Sequence, residues 1–146
     1  MNKRLLFVCI FSACIGVAVS FIYSFDGRKK SFADYRGEKY SISAENFEDM
    51  KELAEVFGIS VNEPPKVQNI RIPMKFNEVY ENYNSLQYDI GMNLEEFKGE
   101  ECILYTFDIG ENKVMNIISW DGQFIGGDIS DMDFQGNITS LSGKSA

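Results

Sequence analysis

The chain has 146 residues, which include 22 Asp and Glu, 14 Lys and Arg, and no histidine. This length fits one domain of ordinary size, and a hydrophobic content of 45% is sufficient for a buried core. Histidine is the usual base beside a catalytic Ser or Cys and the commonest metal ligand. Its absence excludes a Ser-His-Asp site, a Cys-His site and a histidine-ligated zinc site in this chain.

Charge divides the chain into a basic N-terminal part and an acidic remainder. Residues 1–30 contain five Lys and Arg and one Asp, whereas residues 31–146 contain nine Lys and Arg and 21 Asp and Glu. An acidic domain repels the phosphates of nucleic acids. We therefore expect no nucleic-acid partner, whereas a cationic partner is electrostatically acceptable.

The most pronounced feature of the N-terminal part is an uncharged apolar run from Leu5 to Phe25. As a helix it would span roughly 30 Å, the thickness of the hydrocarbon core of a bilayer. The run exceeds the roughly 7–15 apolar residues of a signal-peptide core. It is therefore predicted to be a single-pass membrane anchor at residues 5–25. Cleavage after Ser20 and a lipoprotein site at Cys14 are the alternatives.

Orientation follows from the short N-terminus. Residues 1–4 are expected to stay in the cytoplasm, because long domains that follow a first membrane segment translocate largely regardless of their charge. The basic residues on the two sides of the segment nearly balance. The predicted location is the cell membrane, with the following domain outside the cytoplasm.

The chain after the membrane segment begins with a linker and a helix. Residues 26–43 are polar and charged, which predicts a linker. Ser43 is a candidate N-cap of the first helix, and Gly58 is a candidate stop. Between them, apolar side chains recur at three- and four-residue steps, which is typical of one buried helix face: Phe47, Met50, Leu53, Ala54 and Phe57.

A strand and a second helix are predicted next. Residues 67–72 form the strand candidate, which ends at Pro73. Helical periodicity returns over residues 77–90, where one face carries mainly apolar and aromatic side chains, and Gly91 ends the helix. Residues 93–98 are a connector that closes at Gly99.

The last third changes to the alternating pattern of strands, over residues 102–109, 114–120 and 123–129. Asp121-Gly122 is a strong two-residue hairpin signal, and Gly126-Gly127 indicates a bulge or a close backbone approach. Residues 134–146 are Gly/Ser-rich and are predicted to be a flexible tail. The predicted fold is therefore an α+β domain at residues 44–133, with the order α-β-α-β-β-β and both helices on one face of an antiparallel sheet. Its second half is similar to cystatin-like and PepSY-type modules.

Several residues carry a resemblance to a known family. They begin at Ile72-Pro73 and continue through the second predicted helix to Lys98-Gly99, with Asp121-Gly122 and Ile125 to Asp128 later in the chain. Over roughly residues 45–133 the chain resembles an uncharacterised family of the domain of unknown function 4830 type. Its members occur in clostridia and related Gram-positive bacteria, usually behind an N-terminal membrane segment. The resemblance implies fold class and location, and no assigned chemistry.

Two groups of carboxylates are candidate sites. Asp128, Asp131 and Asp133 lie within six residues and could bind calcium through oxygen ligands, although their spacing is not that of a helix-loop-helix calcium loop and a solvated strand end is the favoured explanation. A carboxylate-only hydrolase would need two acidic side chains that face one cleft. The candidates for such a pair are not distinguished from one another by the sequence: Glu95, Glu96, Glu100 and Glu101.

The second predicted helix carries the candidates for a binding surface. Tyr80, Tyr83 and Tyr88 could stack on a ligand, and Asn84 and Gln87 are amides on the face that is otherwise apolar. A buried amide needs hydrogen-bond partners, so these two side chains either support the structure or line a recognition groove. Cys102 lies in a predicted strand and is expected to be a buried, unreactive side chain.

The function predicted from these observations is a membrane-tethered extracytoplasmic module that binds or regulates another envelope protein, with no cofactor. The absence of histidine and of any catalytic motif indicates that the chain is not an enzyme. The alternative is a cell-wall-active hydrolase that uses carboxylates alone.

Overall fold

The computed structural model describes residues 30–133 and 136–145. The predicted membrane segment at residues 5–25 lies outside this part of the chain. Among the helices that are described, none combines the length and the apolar character needed to cross a membrane.

The described elements are two helices, one short 3₁₀ helix and seven strands. In chain order they are β1 (Phe32–Tyr35), β2 (Glu38–Ser41), α1 (Phe47–Val56), β3 (Lys66–Arg71), α2 (Glu78–Tyr88), a 3₁₀ helix (Leu94–Phe97), β4 (Glu101–Gly110), β5 (Lys113–Trp120), β6 (Gln123–Asp131) and β7 (Ile138–Ser140). Strands β3 to β7 form one antiparallel sheet in sequence order, and β1 pairs with β2 in a separate hairpin. The predicted α+β class, with two helices and antiparallel strands, is confirmed.

The two helices cover opposite faces of the five-stranded sheet. On one face, Phe107 and Met115 pack with Leu53 of α1 and with Tyr40 of the hairpin. On the other face, Ile118 and its neighbours pack with the 3₁₀ helix, and side chains of α2 lie at the edge of that cluster. The prediction that both helices lie on one face is therefore wrong. Successive side chains of a strand point to opposite faces, and both faces of this sheet are apolar enough to need a cover.

The predicted linker at residues 26–43 is replaced by folded structure from residue 32 onward. Strands β1 and β2 turn at Arg36 and Gly37, whose φ angles are 54° and 82°. Tyr40 is 6% exposed and donates a hydrogen bond of 2.6 Å to the carbonyl of Ile90. Ile42 is also buried, so the hairpin belongs to the core of the domain and not to a linker.

The ends of the helices differ slightly from the predicted ones. Asn46, not Ser43, caps α1, because its side chain accepts a hydrogen bond from the backbone of Asp49. Ser43 instead donates a hydrogen bond of 2.5 Å to the carboxylate of Asp49 and lowers the pKa of that group. Asn77 caps α2.

The predicted flexible tail contains a further strand. β7 pairs with β6 over Ile138–Ser140, and Leu141 directly after it is 2% exposed in the core. The segment is also connected to Asp89, which accepts hydrogen bonds from Ser140 and Ser142 and forms an ion pair with Lys144.

The hairpin turns of the sheet follow the sequence closely. Asp121 and Gly122 have φ angles of 48° and 75°, as a two-residue turn with two left-handed positions requires. The pairing register shifts between Ile118 and Ser119 opposite the segment that leads into Gly126. The predicted hairpin is confirmed. A bulge at Ile125 directly precedes Gly126-Gly127, the pair for which the sequence indicates a bulge or a close backbone approach.

Candidate functional site

A groove lies between helix α2 and the face of the sheet that α2 covers. Its cavity volume is about 490 Å³, within the range of roughly 300–1,000 Å³ that is typical of ligand sites. We call it the α2 groove. Its walls and floor are formed mainly by aliphatic side chains, which are Ile70, Val79, Leu86, Leu104, Ile118 and Ile138. Tyr80, Tyr83, Asn82, Asn116 and Asp128 complete the described lining.

The floor of the groove consists of two neighbouring rows of side chains on the sheet. Leu104 and Ile118 are cross-strand partners and form an apolar row. Two residues along, Thr106, Asn116 and Asp128 are successive partners on β4, β5 and β6 and form a polar row. Because cross-strand partners lie on the same face of a sheet, both rows face α2.

Hydrogen bonds fix the orientation of the polar row. The hydroxyl of Thr106 donates to Oδ1 of Asn116 at 2.8 Å, which leaves the amide nitrogen of Asn116 directed at Asp128. That nitrogen donates to Oδ1 of Asp128 at 3.0 Å, and the hydroxyl of Ser130 donates to the same oxygen. Tyr83 donates to Oδ2 at 2.8 Å.

Asp128 is the unusual member of this row, because it is a carboxylate that is 4% exposed. In the described part of the chain it takes part in no ion pair. Its three donors are neutral groups, on Asn116, Ser130 and Tyr83. Burial, followed by the charge of Asp128 and the hydrogen bond to it, raises the pKa of Tyr83 well above its ordinary value, so this phenol remains protonated and continues to donate.

The rims of the groove are apolar and open to solvent. Val79 on α2 is 74% exposed, and Ile138 on β7 is 46% exposed. Tyr80 and Tyr83 stand one turn apart on α2, with ring centroids 6.0 Å from each other. The rims are aliphatic, and the wall beside them is aromatic and aliphatic. Contact of this apolar surface with water is energetically unfavourable.

Two of the predicted binding residues support the structure and do not line the groove. Asn84 is 1% exposed, and its Oδ1 accepts a hydrogen bond of 2.8 Å from the backbone of Leu94 at the start of the 3₁₀ helix. Gln87 is fully buried, and its Oε1 accepts from the backbone of Gly127 at 2.8 Å. Tyr80 and Tyr83 do line the groove, whereas Tyr88 is 55% exposed outside the lining.

The approach of Gln87 explains Gly126, and close packing against β5 explains Gly127. A Cβ atom on Gly126 would lie 3.0 Å from Oε1 of Gln87 and from a methyl group of Leu94. A Cβ atom on Gly127 would lie 2.4 Å from the carbonyl oxygen of Asn116. Helix α2 can therefore approach β6 closely at Gly126, where the strand has no side chain.

The three aspartates proposed as calcium ligands do not converge. Asp128 faces the groove, whereas Asp131 lies an odd number of residues further along β6 and points to the other face of the sheet. Oδ2 of Asp131 accepts a hydrogen bond from the backbone of Asn137. Within residues 30–133 and 136–145 no three acidic or cysteine side chains are grouped as metal ligands would be.

The four glutamates considered for hydrolysis lie outside the groove lining. Glu95 forms an ion pair with Lys98 at 2.6 Å, Glu96 with Lys30 at 3.3 Å, and Glu101 with Arg71. Glu100 accepts a hydrogen bond of 3.3 Å from the indole nitrogen of Trp120. Their described contacts are those of structural surface residues.

Cys102 lies on β4 and is 3% exposed. Burial, with a smaller contribution from Glu100, raises the pKa of its thiol to about 11. A thiol with this pKa is almost entirely protonated at neutral pH, and the thiolate is the nucleophilic form. The structure therefore places Cys102 as the sequence predicts, in the apolar core.

Sequence reasoning did not identify Asp128 and Asn116 as groove residues. The sequence places Asp128 next to other acidic residues, but the alternation of the strand directs Asp128 and Asp131 to opposite faces of the sheet. The pairing of β5 with β6 could have identified both groove residues. When residues are paired outward from the Asp121-Gly122 turn and the bulge is taken into account, Asn116 lies opposite Asp128.

The geometry can be compared with known proteins. A family model described as "Domain of unknown function (DUF4830)" matches residues 53–127. The match begins within α1, includes Tyr80, Tyr83 and Asn116, and ends one residue before Asp128. No curated protein and no solved structure matches the chain. Because the family model matches more than half of the 146 residues, the chain belongs to the DUF4830 family of domains of unknown function.

Proposed function

We propose that this domain is a protein-binding module that holds a segment of another envelope protein in the α2 groove. The observation that carries the proposal is an open, largely aliphatic groove with exposed rims at Val79 and Ile138. A contiguous apolar surface on a folded domain indicates an interaction site, because its exposure to water is unfavourable. Such a segment would bury both rims.

Membrane tethering and an extracytoplasmic location are parts of this proposal. Their support is the uncharged run at residues 5–25, which is long enough to span a bilayer. A domain tethered in this way meets other membrane and envelope proteins at high local concentration, so a modest groove is sufficient for a useful interaction.

The composition of the groove favours binding over hydrolysis. Hydrolysis by carboxylates alone uses an acidic pair separated by roughly 5–9.5 Å across the scissile bond. The described lining of the groove has one carboxylate, Asp128, and it is directed at neutral donors of the protein itself. The remaining lining is suited to apolar contact, not to proton transfer.

A site-specific crosslinking experiment tests the proposal. p-Benzoylphenylalanine is introduced at Val79 on the groove rim or, as the matched control, at Val56, an exposed valine at the end of α1 on the opposite face of the sheet. Illumination of intact cells should join the same partner protein to position 79 and not to position 56. The additional substitution Ile138→Glu, on the other rim, should reduce this product.

Two results would overturn the proposal. Equal crosslinking from both valines would show that the groove is not the contact surface. Hydrolysis of purified cell wall by the full-length protein, abolished by Asp128→Asn, would assign the groove to the alternative function.

A further inference from the structure

We propose that the α2 groove recognises a lysine side chain of the partner segment, whose ammonium group binds Asp128 while its neighbouring residues are aliphatic. This inference rests on the proposed function, because it names the chemistry of the segment that the groove holds. It follows from the charge of the floor, from its hydrogen-bond geometry and from the apolar walls.

The charge of the groove floor comes from Asp128. Asp128 is 4% exposed, and within the described chain it has neutral donors and no ion pair. No Lys or Arg is among the described lining residues. Burying a carboxylate without a nearby cation is unfavourable. The attraction between Asp128 and a positive group in the groove is stronger than the same attraction at the protein surface, because less water screens it. The groove therefore favours a cationic ligand over a neutral one of equal shape.

The described hydrogen bonds do not fill all the acceptor positions of Asp128. A carboxylate has about four lone-pair positions. On Asp128 the amide of Asn116 and the hydroxyl of Ser130 occupy both positions of Oδ1, and Tyr83 occupies one position of Oδ2. One acceptor position remains, on Oδ2, beside the phenol that also lines the groove.

This geometry separates lysine from arginine. A guanidinium group binds a carboxylate best in a two-pronged arrangement that requires both oxygens. Here Oδ1 already accepts two hydrogen bonds, so the two-pronged arrangement is blocked. An ammonium group is a compact charge that needs one acceptor, and it fits the remaining position on Oδ2.

The walls of the groove are mainly aliphatic. Between the rims and Asp128 a ligand passes aliphatic side chains such as Leu86, Leu104 and Ile118. The lysine stem has four methylene groups, which can be buried along such walls while the charged end reaches a polar group. Val79 and Ile138 remain exposed at the rims, and a peptide with aliphatic residues beside the lysine would cover them. A small free amine would leave both rims in water.

The net charge of the domain is negative, like the charge of Asp128. Residues 31–146 contain 21 Asp and Glu against nine Lys and Arg. An acidic domain attracts a cationic segment and increases its rate of encounter.

Peptide pools with one fixed central residue test the inference. The pools are acetylated, amidated pentapeptides with mixed Leu, Ile, Val and Ala at the outer positions and Lys, Arg or norleucine at the centre. Binding is measured by isothermal calorimetry to the full-length protein in phosphatidylcholine nanodiscs, with empty nanodiscs as the blank. The Lys pool should bind about tenfold or more tightly than the norleucine and Arg pools. Asp128→Asn should abolish the preference for the Lys pool over the norleucine pool.

Each other outcome decides against the inference in a distinguishable way. Equal binding of the Lys and norleucine pools overturns the lysine inference and leaves the protein-binding function in place. A lysine preference that persists in Asp128→Asn places the ammonium elsewhere and also overturns it. If n-pentylamine binds as tightly as the Lys pool, the site belongs to a small amine. Failure of every pool to bind overturns the groove function itself. Should Asp128→Asn not fold, the comparison of the three pools on the unmodified protein decides.

Discussion

Tyr83 on helix α2 donates a hydrogen bond of 2.8 Å to Asp128 on strand β6. The bond connects the helix to the sheet at the floor of the α2 groove, and it satisfies a carboxylate that water hardly reaches. The position of α2, and with it the width of the groove, therefore depends on a polar contact as well as on apolar packing.

This contact predicts different consequences for two neighbouring tyrosines. Tyr83→Phe removes a donor from a buried carboxylate and should reduce the free energy of unfolding by about 1.5–3 kcal/mol. Tyr80→Phe is the matched control, because Tyr80 also lines the groove and its hydroxyl has no hydrogen-bond partner among the described residues. Urea denaturation followed by tyrosine and tryptophan fluorescence would measure both. Equal effects of the two substitutions would contradict the role given to the Tyr83 hydroxyl.

The buried amides of α2 are predicted to stabilise the domain. Gln87→Ala leaves the backbone N–H of Gly127 without its acceptor, and Asn84→Ala does the same for Leu94. Each substitution should reduce the free energy of unfolding by about 1–3 kcal/mol, the penalty of an unsatisfied buried group. Asn82→Ala, at an exposed position of the same helix, should have little effect. Weakened partner binding by a Gln87→Ala protein of unchanged stability would instead show that this amide contacts the partner.

The extent to which sequence predicted this fold depends on how local each signal is. Asp121-Gly122 determines its turn through the φ angles of two adjacent residues, and Gly91 ends α2 in the same way, so both were predictable. Tyr40 and Leu141 are buried by residues far away in the chain. Neither the hairpin of β1 and β2 nor β7 has a long apolar pattern. The sequence therefore predicts a linker in place of the hairpin and a flexible tail in place of β7.

In the candidate site, too, the residues with a local signal were predictable and those placed by distant contacts were not. Tyr80 and Tyr83 were predicted from helical spacing alone. Asp128 and Asn116 join them through a cross-strand register that includes a bulge, and a bulge changes which residues are opposite each other. The two amides were correctly singled out as unusual, but their partners, Gly127 and Leu94, become apparent only when α2 is placed on β6.

The turn at Asp121-Gly122 gives a test of the sheet. Gly122 has a φ angle of 75°, which a β-branched residue adopts only with strain. Gly122→Val should reduce the melting temperature through a loss of about 1–2 kcal/mol. Asp121→Asn is the control, since asparagine tolerates the left-handed conformation. A melting temperature that is the same in both variants and in the unmodified protein would contradict the turn.

The predicted anchor at residues 5–25 has a biochemical test. Full-length protein should sediment with membranes and resist extraction by salt and by alkaline carbonate, because an uncharged helix of this length spans the bilayer. The matched control is the chain without residues 1–29, which should be released. Recovery of most of the full-length protein in the medium, with a new N-terminus at Phe21, would show cleavage after Ser20 instead.

Cys102 is predicted to resist chemical modification while the domain is folded. Its thiol is buried in the sheet, and its pKa is raised to about 11, so little thiolate is present at neutral pH. A thiol reagent should modify Cys102 slowly in native protein and rapidly in urea, as measured by mass spectrometry of the peptide that contains it. Rapid native labelling, with loss of partner binding in Cys102→Ala, would show a functional thiol.

The same shift in pKa predicts how stability depends on pH. The folded thiol has a pKa of about 11 against the ordinary value of 9.0, so the folded chain retains this proton over a range in which the unfolded chain releases it. The resulting contribution to stability is complete below pH 9 and decreases as the pH rises through about 11. Urea midpoints measured across this range should therefore decrease less steeply for Cys102→Ala than for the unmodified protein. Tyr83, whose pKa is also raised by burial, is retained in both proteins. Cys102 contributes to the raised pKa of Tyr80, so its removal changes the ionisation of Tyr80 in the same direction and adds to the difference between the two curves. Parallel curves would show that the thiol ionises equally in the folded and unfolded chains, which is incompatible with its burial on β4.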